Sequence, residues 1–331
     1  DFIDYIIADK VVIPPIHQPS YRESIIYLPY SYQVNDNTRV ISERSLTRIE
    51  MGLPEQGFVF CCFNNNYKIS PSEFDIWMRL LKKVEGSVLW LLKSNKWVEH
   101  NLRAEAEIRK VSGDRLVFAE RLPQAEHLGR HKLADLFLDT FNYNAHTTAS
   151  DALWAGLPVV TKLGKGFAAR VAGSLLSAID MPELITETEQ EYESLILDLA
   201  TNPKRLGAIK LKLAANRLSK PLFNTELFTK HLEDGYQRAY QQYFDGKEPE
   251  AIYVPEQVWT ATQIATFKAG NKRKTTHSHL FLPKEYSGDP YASVFNHYTE
   301  AEVLAYLETG WGMGNVEDLQ LSFLYGPDDE Q

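Results

Sequence analysis

Phe58-Val59-Phe60-Cys61-Cys62-Phe63, then Asn64-Asn65-Asn66-Tyr67-Lys68-Ile69, then Ser70-Pro71-Ser72-Glu73, is the stretch whose reading decides the fold. An unbroken apolar run with no polar alternation is the pattern of a strand buried on both faces, as in parallel sheets. The asparagines that follow make a polar loop. Ser70 as N-cap, Pro71 in the first turn and Glu73 three residues on form a helix start. Phe74, Trp77, Leu80 and Leu81 then recur at helical spacing. Strand, loop and helix together are the first half of a βαβ unit.

The same alternation continues downstream. Ser87–Leu92, Arg115–Ala119, Asp135–Asp139 and Pro158–Thr161 read as further strands. Helical segments lie between them, at about 98–111, about 127–132 and from about Ser150, and another covers 168–178. This predicts an α/β fold, a parallel sheet with helices on both faces, and ligands in such sheets sit at the carboxyl ends of the strands. Upstream, Asp4–Asp9 reads as a short strand, Pro14, Pro15 and Pro19 enforce a loop, and Ile25–Leu28 is a second short strand. That opening looks like the end of one lobe and a connector. A start within an apolar stretch, without Met, leads us to expect upstream sequence. Beyond Pro221 the chain reads as helical to about Gly246. From Glu256 a basic patch (Lys268, Lys272, Arg273, Lys274) and a histidine pair (His277, His279) lead to an aromatic, acidic end that receives no assignment.

Hydrophobic residues at 44% leave ample material for a core. Lys and Arg total 35 against 44 Asp and Glu, a formal charge of −9, which argues against a chain-wide fit to nucleic acid or an anionic membrane. Any phosphate must be held by a local pocket. The two cysteines, Cys61 and Cys62, read as small buried hydrophobes, with no disulfide framework and no zinc spacing, so a reducing compartment is expected. No apolar run reaches the length of a membrane span, and the opening residues show no signal-peptide pattern.

Candidate chemistry collects in loops that follow strands. Tyr143-Asn144-Ala145-His146-Thr147-Thr148-Ala149-Ser150-Asp151 follows the fourth run. Two hydroxyls opening a helix suit a phosphate, because backbone N–H groups, the positive dipole end and hydroxyl donors converge there; the same residues equally suit an ordinary N-cap. His146 adds a donor for a phosphate or a sugar hydroxyl, though a lone loop histidine is commonly surface. Lys68 follows the first run, where a fixed cation can neutralise a leaving diphosphate; a solvated lysine is the plain alternative. Asn65 can donate its amide or simply make a turn. After the third run, Arg121-Leu122-Pro123-Gln124-Ala125-Glu126-His127-Leu128-Gly129-Arg130 can read a base edge through the main chain near Leu122 and through His127. Asp151 can accept from ribose hydroxyls, or merely complement the helix dipole. Walker A, G-x-G-x-x-G and G-x-S-x-G patterns are absent; Gly164-Lys165-Gly166 lacks the rest of a phosphate-loop motif.

Asn144-Ala145-His146-Thr147-Thr148 with Ser150-Asp151-Ala152-Leu153-Trp154-Ala155-Gly156-Leu157-Pro158-Val159-Val160-Thr161 resembles the donor-site signature of the protein O-GlcNAc transferase family, which includes Spindly-type proteins. Phe63-Asn64, Tyr67-Lys68-Ile69, Ser87–Leu92, Leu133-Ala134-Asp135, Leu138-Asp139-Thr140, Arg170-Val171-Ala172 and Pro221-Leu222-Phe223-Asn224-Thr225 share the likeness, in order, from about Asp4 to about Pro255. The resemblance implies a GT-B-type Rossmann-like lobe with most of the N-terminal lobe missing. Residues 1–54 would end that lobe and connect, 55–220 would bind donor, 221–255 would be C-terminal helices, and 256–331 stay unassigned. It implies inverting transfer of GlcNAc from UDP-GlcNAc to Ser or Thr hydroxyls of proteins, with no cofactor or metal and no nucleic-acid or membrane partner. A cytoplasmic setting with upstream tetratricopeptide repeats would accompany it. Fucosyl transfer from a GDP-sugar, or a nucleotide-binding module without turnover, are the alternatives. By the same likeness, Lys68 would stabilise the β-phosphate, Thr147 and Thr148 would bind diphosphate, and His146 would lie at the phosphate–sugar junction. Asp151 would hold the ribose, while Leu122, Gln124, His127 and Arg130 would face uracil. The sequence departs from the family at Asn65, where Gln is usual, and at Gln124, where Lys is usual. The family's acceptor-side histidines have no counterpart here.

Overall fold

In the computed structural model, which describes residues 3–257, the chain opens with two parallel strands, β1 (Tyr5–Asp9) and β2 (Ser24–Leu28). The deciding stretch follows as β3 (Val59–Cys62), α1 (Pro71–Lys83), β4 (Val88–Leu92), α2 (Lys96–Ile108), β5 (Leu116–Ala119), α3 (Gln124–Arg130) and β6 (Leu136–Leu138). Next come α4 (Thr147–Ala155), β7 (Val159–Lys162), α5 (Val171–Ala178), β8 (Ile185–Thr186), α6 (Glu189–Thr201), α7 (Pro203–Arg217), α8 (Thr225–Phe244) and β9 (Ile252–Tyr253). The basic patch and histidine pair of the tail lie outside the described residues.

Six strands form one parallel sheet in the order β5-β4-β3-β6-β7-β8. All four residues of β3 are at most 1% exposed, so both faces of this central strand are covered, as its unbroken apolar run predicts. Cys61 and Cys62 lie within it, fully buried, and burial pushes both thiols well up. At the start of α1, the Glu73 carboxylate accepts from the Ser70 backbone N–H at 2.7 Å and from the Ser70 hydroxyl, the capping box read from the sequence. Phe74, Ile76, Trp77, Leu80 and Leu81 are the buried face of that helix.

The order places a reversal beside β3. The chain steps outward through β4 and β5, then returns to add β6 on the other side. The loops after β3 and β6 therefore part company, leaving the crevice in which doubly wound sheets bind ligands.

The expectation of C-terminal helices over 221–255, helical to about Gly246, needs one addition. α8 is helical, but Ile252–Tyr253 is a strand that pairs in parallel with β2 and completes a second sheet, β1-β2-β9. Two residues carry no periodicity of their own; pairing of Ile252 with Ile26 and of Tyr253 with Tyr27, far back in the chain, creates the strand, with Tyr253 stacked on Tyr27 at 4.8 Å. β8, likewise two residues long, escaped the sequence reading for the same reason. The small sheet is fastened to the large one through Asp9, which is 1% exposed and accepts from the Val11, Val12 and Tyr32 N–H groups and from Ser174 of α5 at 2.7 Å.

Candidate functional site

At the end of β3, successive residues point to opposite sides of the sheet, and the crevice divides accordingly. Asn64 reaches one half, Phe63 the other.

On the Asn64 side everything is organised by Asp139, the residue after β6. It is 0% exposed. Its Oδ1 accepts from the Ala145 N–H at 2.6 Å, the Thr140 N–H at 2.8 Å and the Asn64 amide at 3.2 Å, and its Oδ2 accepts from the Thr161 hydroxyl at 2.7 Å. Burial pushes this carboxyl up to about 7, against the pull of those four donors. Asn64 in turn accepts from the Thr148 hydroxyl, so the start of α4 is tied to the end of β3. Lys68, half-buried, donates to the Asn144 carbonyl at 3.0 Å and lies 3.8 Å above the Tyr143 ring. Burial lowers its pKa, with the charges of Asp139 and Cys62 pulling it back. The Tyr143 ring stacks on His146 at 4.7 Å. His146 immediately precedes α4, and its Nε2 donates to the Ala168 carbonyl at 3.2 Å, since a carbonyl can only accept. Burial, then the nearby Lys68, lower its pKa, with the Ala168 carbonyl acting the other way.

The structure thus gathers Lys68, His146 and Thr148 at the reversal point, but modifies two expectations. Thr148 spends its only hydroxyl proton on Asn64, so from that side chain a phosphate meets no donor; Thr147, exposed, keeps its hydroxyl toward solvent. His146 spends its Nε2–H on Ala168 and presents Nδ1 as an acceptor, which matches a sugar hydroxyl better than a phosphate oxygen. Asn65 is exposed, and its carbonyl closes the turn to the Lys68 N–H at 2.9 Å.

On the other side, Phe63 meets Trp90 at 5.0 Å, His127 at 5.4 Å and His131 at 5.3 Å. Arg130 lies 4.4 Å above the Phe63 ring. It is only 1% exposed: Nη1 donates to the Glu120 carbonyl and Nη2 to His127 Nδ1, both at 2.5 Å. Arg130 therefore stands inside the wall, behind His127, instead of facing a base. Leu122 is half-buried, and Gln124, the first residue of α3, is exposed.

Asp151 sits one turn into α4, and its Oδ1 pairs with Arg39 of the connector, a partner the sequence reading did not name. Asn35 of the same segment accepts from Ser150 and donates to the Leu222 carbonyl at 3.3 Å. Neither contact has a local signal, because the partners are more than 100 residues apart.

Comparisons with known proteins bear on the family and the fold. The profile of glycosyl transferase family 41 matches residues 42–232. A probable UDP-N-acetylglucosamine–peptide N-acetylglucosaminyltransferase SEC of Arabidopsis thaliana is 38% identical over 261 residues, 77% of this chain and 27% of the relative. A UDP-N-acetylglucosamine–peptide N-acetylglucosaminyltransferase of Caenorhabditis elegans is 38% identical over 200 residues, 60% of this chain and 17% of the relative. The chain thus spans about a quarter or less of the length of these curated relatives. Among solved structures, an O-GlcNAc transferase mutant of Thermobaculum terrenum superposes with a TM-score of 0.64 at 27% identity, over 73% of this chain and 46% of that one. A sucrose-phosphate synthase of Thermosynechococcus elongatus, 14% identical, shares the fold with a TM-score of 0.52 over 74% of this chain and 59% of that one. The large sheet is a GT-B-type Rossmann-like lobe. With the profile spanning more than half of the sequence and 38% identity along most of it, the chain belongs to glycosyl transferase family 41.

Proposed function

We propose that this chain is the donor-binding part of an inverting transferase that moves GlcNAc from UDP-GlcNAc to Ser or Thr hydroxyls of proteins. The observation that carries the reading is the gathering of Lys68, His146 and the N-terminus of α4 at the reversal point of the sheet. The acceptor hydroxyl oxygen attacks the anomeric carbon as the bond to UDP breaks, its proton passes to solvent, and negative charge develops on the β-phosphate. Lys68 is the fixed cation for that charge. Thr147 and the first N–H groups of α4 hold the diphosphate, and His146 Nδ1 accepts from a sugar hydroxyl. Asp151 Oδ2 accepts from the ribose, while His127, Gln124 and the main chain near Leu122 face uracil. Asn65 lies at the loop's outer edge, near the diphosphate. The reaction uses no metal, and the protein works in the cytoplasm beside tetratricopeptide repeats that deliver acceptors; no helix among the described residues is long and apolar enough to cross a membrane. The names of the relatives support donor and acceptor alike.

Calorimetric titration with UDP and with GDP tests this. UDP should bind in preference, undisturbed by EDTA, and Lys68→Ala should weaken it about ten- to a hundredfold, the loss of one charge-assisted hydrogen bond. A preference for GDP would transfer the reading to fucosyl transfer. Binding of neither would remove the donor-binding role from this chain.

A further inference from the structure

We infer that Arg130 is a positioning residue that holds His127 as a neutral imidazole protonated on Nε2, making that N–H the donor offered to a carbonyl of the nucleobase. The ligand half of this statement rests on the donor-site reading above; the tautomer does not.

A guanidinium has only donors. With Arg130 Nη2 at 2.5 Å from His127 Nδ1, that nitrogen must accept, and the ring proton must sit on Nε2. Arg130 is held in place, since the Glu120 carbonyl accepts from Nη1 at 2.5 Å and the guanidinium carbon lies 4.4 Å from the centre of the Phe63 ring. One turn on, His131 is set the opposite way. Its Nδ1 lies 2.8 Å from the His127 carbonyl, which only accepts, so the proton is on Nδ1 and Nε2 is left buried without a partner. Two neighbouring histidines, their rings 4.9 Å apart, thus hold opposite tautomers.

The groups facing His127 do not favour a second proton. At the end of α3 these are Arg130 and His131, and the end of β3 brings the Phe63 ring; the buried Cys61 thiol of β3 and Trp90 of β4 lie against Arg130. Glu126 is paired outward with Arg44 at 3.3 Å. Burial first, then Arg130, lower the His127 pKa to about 4. The base wall therefore keeps one hydrogen-bonding character across the range in which a free histidine would change it.

Long-range proton–nitrogen NMR on the full chain reads both tautomers directly. His127 should show a protonated Nε2 and His131 a protonated Nδ1, unchanged between about pH 5 and pH 8. A His127 that carries its proton on Nδ1, or titrates near an ordinary histidine, would overturn the proposal without any mutant. Arg130→Met, with the retained Nδ1 tautomer of His131 as its folding control, should let His127 titrate in that window. Uridine, which has no titrating group there, should then bind with a pH-dependent affinity that the unmodified chain lacks. A variant whose His127 keeps the same tautomer and stays flat would sink the positioning role. If the tautomers are as stated but uridine binds nowhere near His127, the donor-site reading fails while the role of Arg130 in setting the ring stands.

Discussion

Thr147 and Thr148 are neighbours with the same side chain and different work. Thr148 closes a chain that runs from Thr161 through Asp139 and Asn64 to α4, whereas Thr147 is exposed. Removing a hydroxyl from a buried network leaves its partner unsatisfied, which costs about 1–3 kcal/mol. Thr148→Val should accordingly lower the urea midpoint, with Thr148→Ser restoring most of the loss. Thr147→Val should leave stability within about 0.5 kcal/mol and weaken UDP binding instead. Stability loss at position 147 and none at 148 would show the two roles to be exchanged. In the sequence Asp139 reads as the end of a strand and as part of the family likeness, not as a site residue. What makes it central is the convergence of three strand ends on one carboxylate, which no spacing along the chain announces.

At the level of elements, β3 is held at both ends by different means. Its carboxyl end carries the crevice. Its amino end depends on Gly57, whose φ is +104° and where an added Cβ would come within 2.3 Å of the Gly86 carbonyl oxygen. Any side chain there meets both backbone strain and a backbone clash, together about 2 kcal/mol or more. Gly57→Ala should therefore lower the denaturation midpoint while leaving the UDP affinity of the folded fraction unchanged, because it lies at the opposite end of the strand from the site. A changed affinity at constant stability would contradict that separation. The helices follow their own sequence signals more closely: the capping box at Ser70 and Glu73 starts α1 where expected, while α4 begins at Thr147, three residues ahead of the expected Ser150, because Asn64 and His146 hold its first turn.

For the whole molecule, the buried His131 contributes to the response to acid. Burial, then His127, lower the His131 pKa to about 3, from an ordinary 6.5 in the unfolded chain. Between those values the unfolded state binds a proton that the folded state refuses, so this group's contribution is fully present above 6.5 and is lost as the pH falls toward 3. His127 acts in the same direction, and Asp139, with its raised pKa, acts oppositely. Subtracting a variant isolates one group: His131→Phe should remove about a tenfold change in the unfolding equilibrium constant per pH unit within that window. Parallel stability profiles for the two proteins would mean that His131 is protonated in the fold.

The sequence by itself determined the alternation of buried strands and helices, the loops that carry the site, and the family. Those features are local: apolar runs, caps and motifs act within a few residues, and a strand buried on both faces has no other pattern. Only the tertiary structure decided the strand order that opens the crevice, the two-residue strands β8 and β9, the Arg39–Asp151 and Asn35–Ser150 contacts, and the turning of Arg130 into the wall. Most of these join groups far apart in the chain; Arg130, held by Glu120 and His127 a few residues away, is turned inward by the Phe63 and Trp90 rings it packs against. Which donor meets which acceptor there is settled by packing, and packing leaves no period in the sequence for it to be read from.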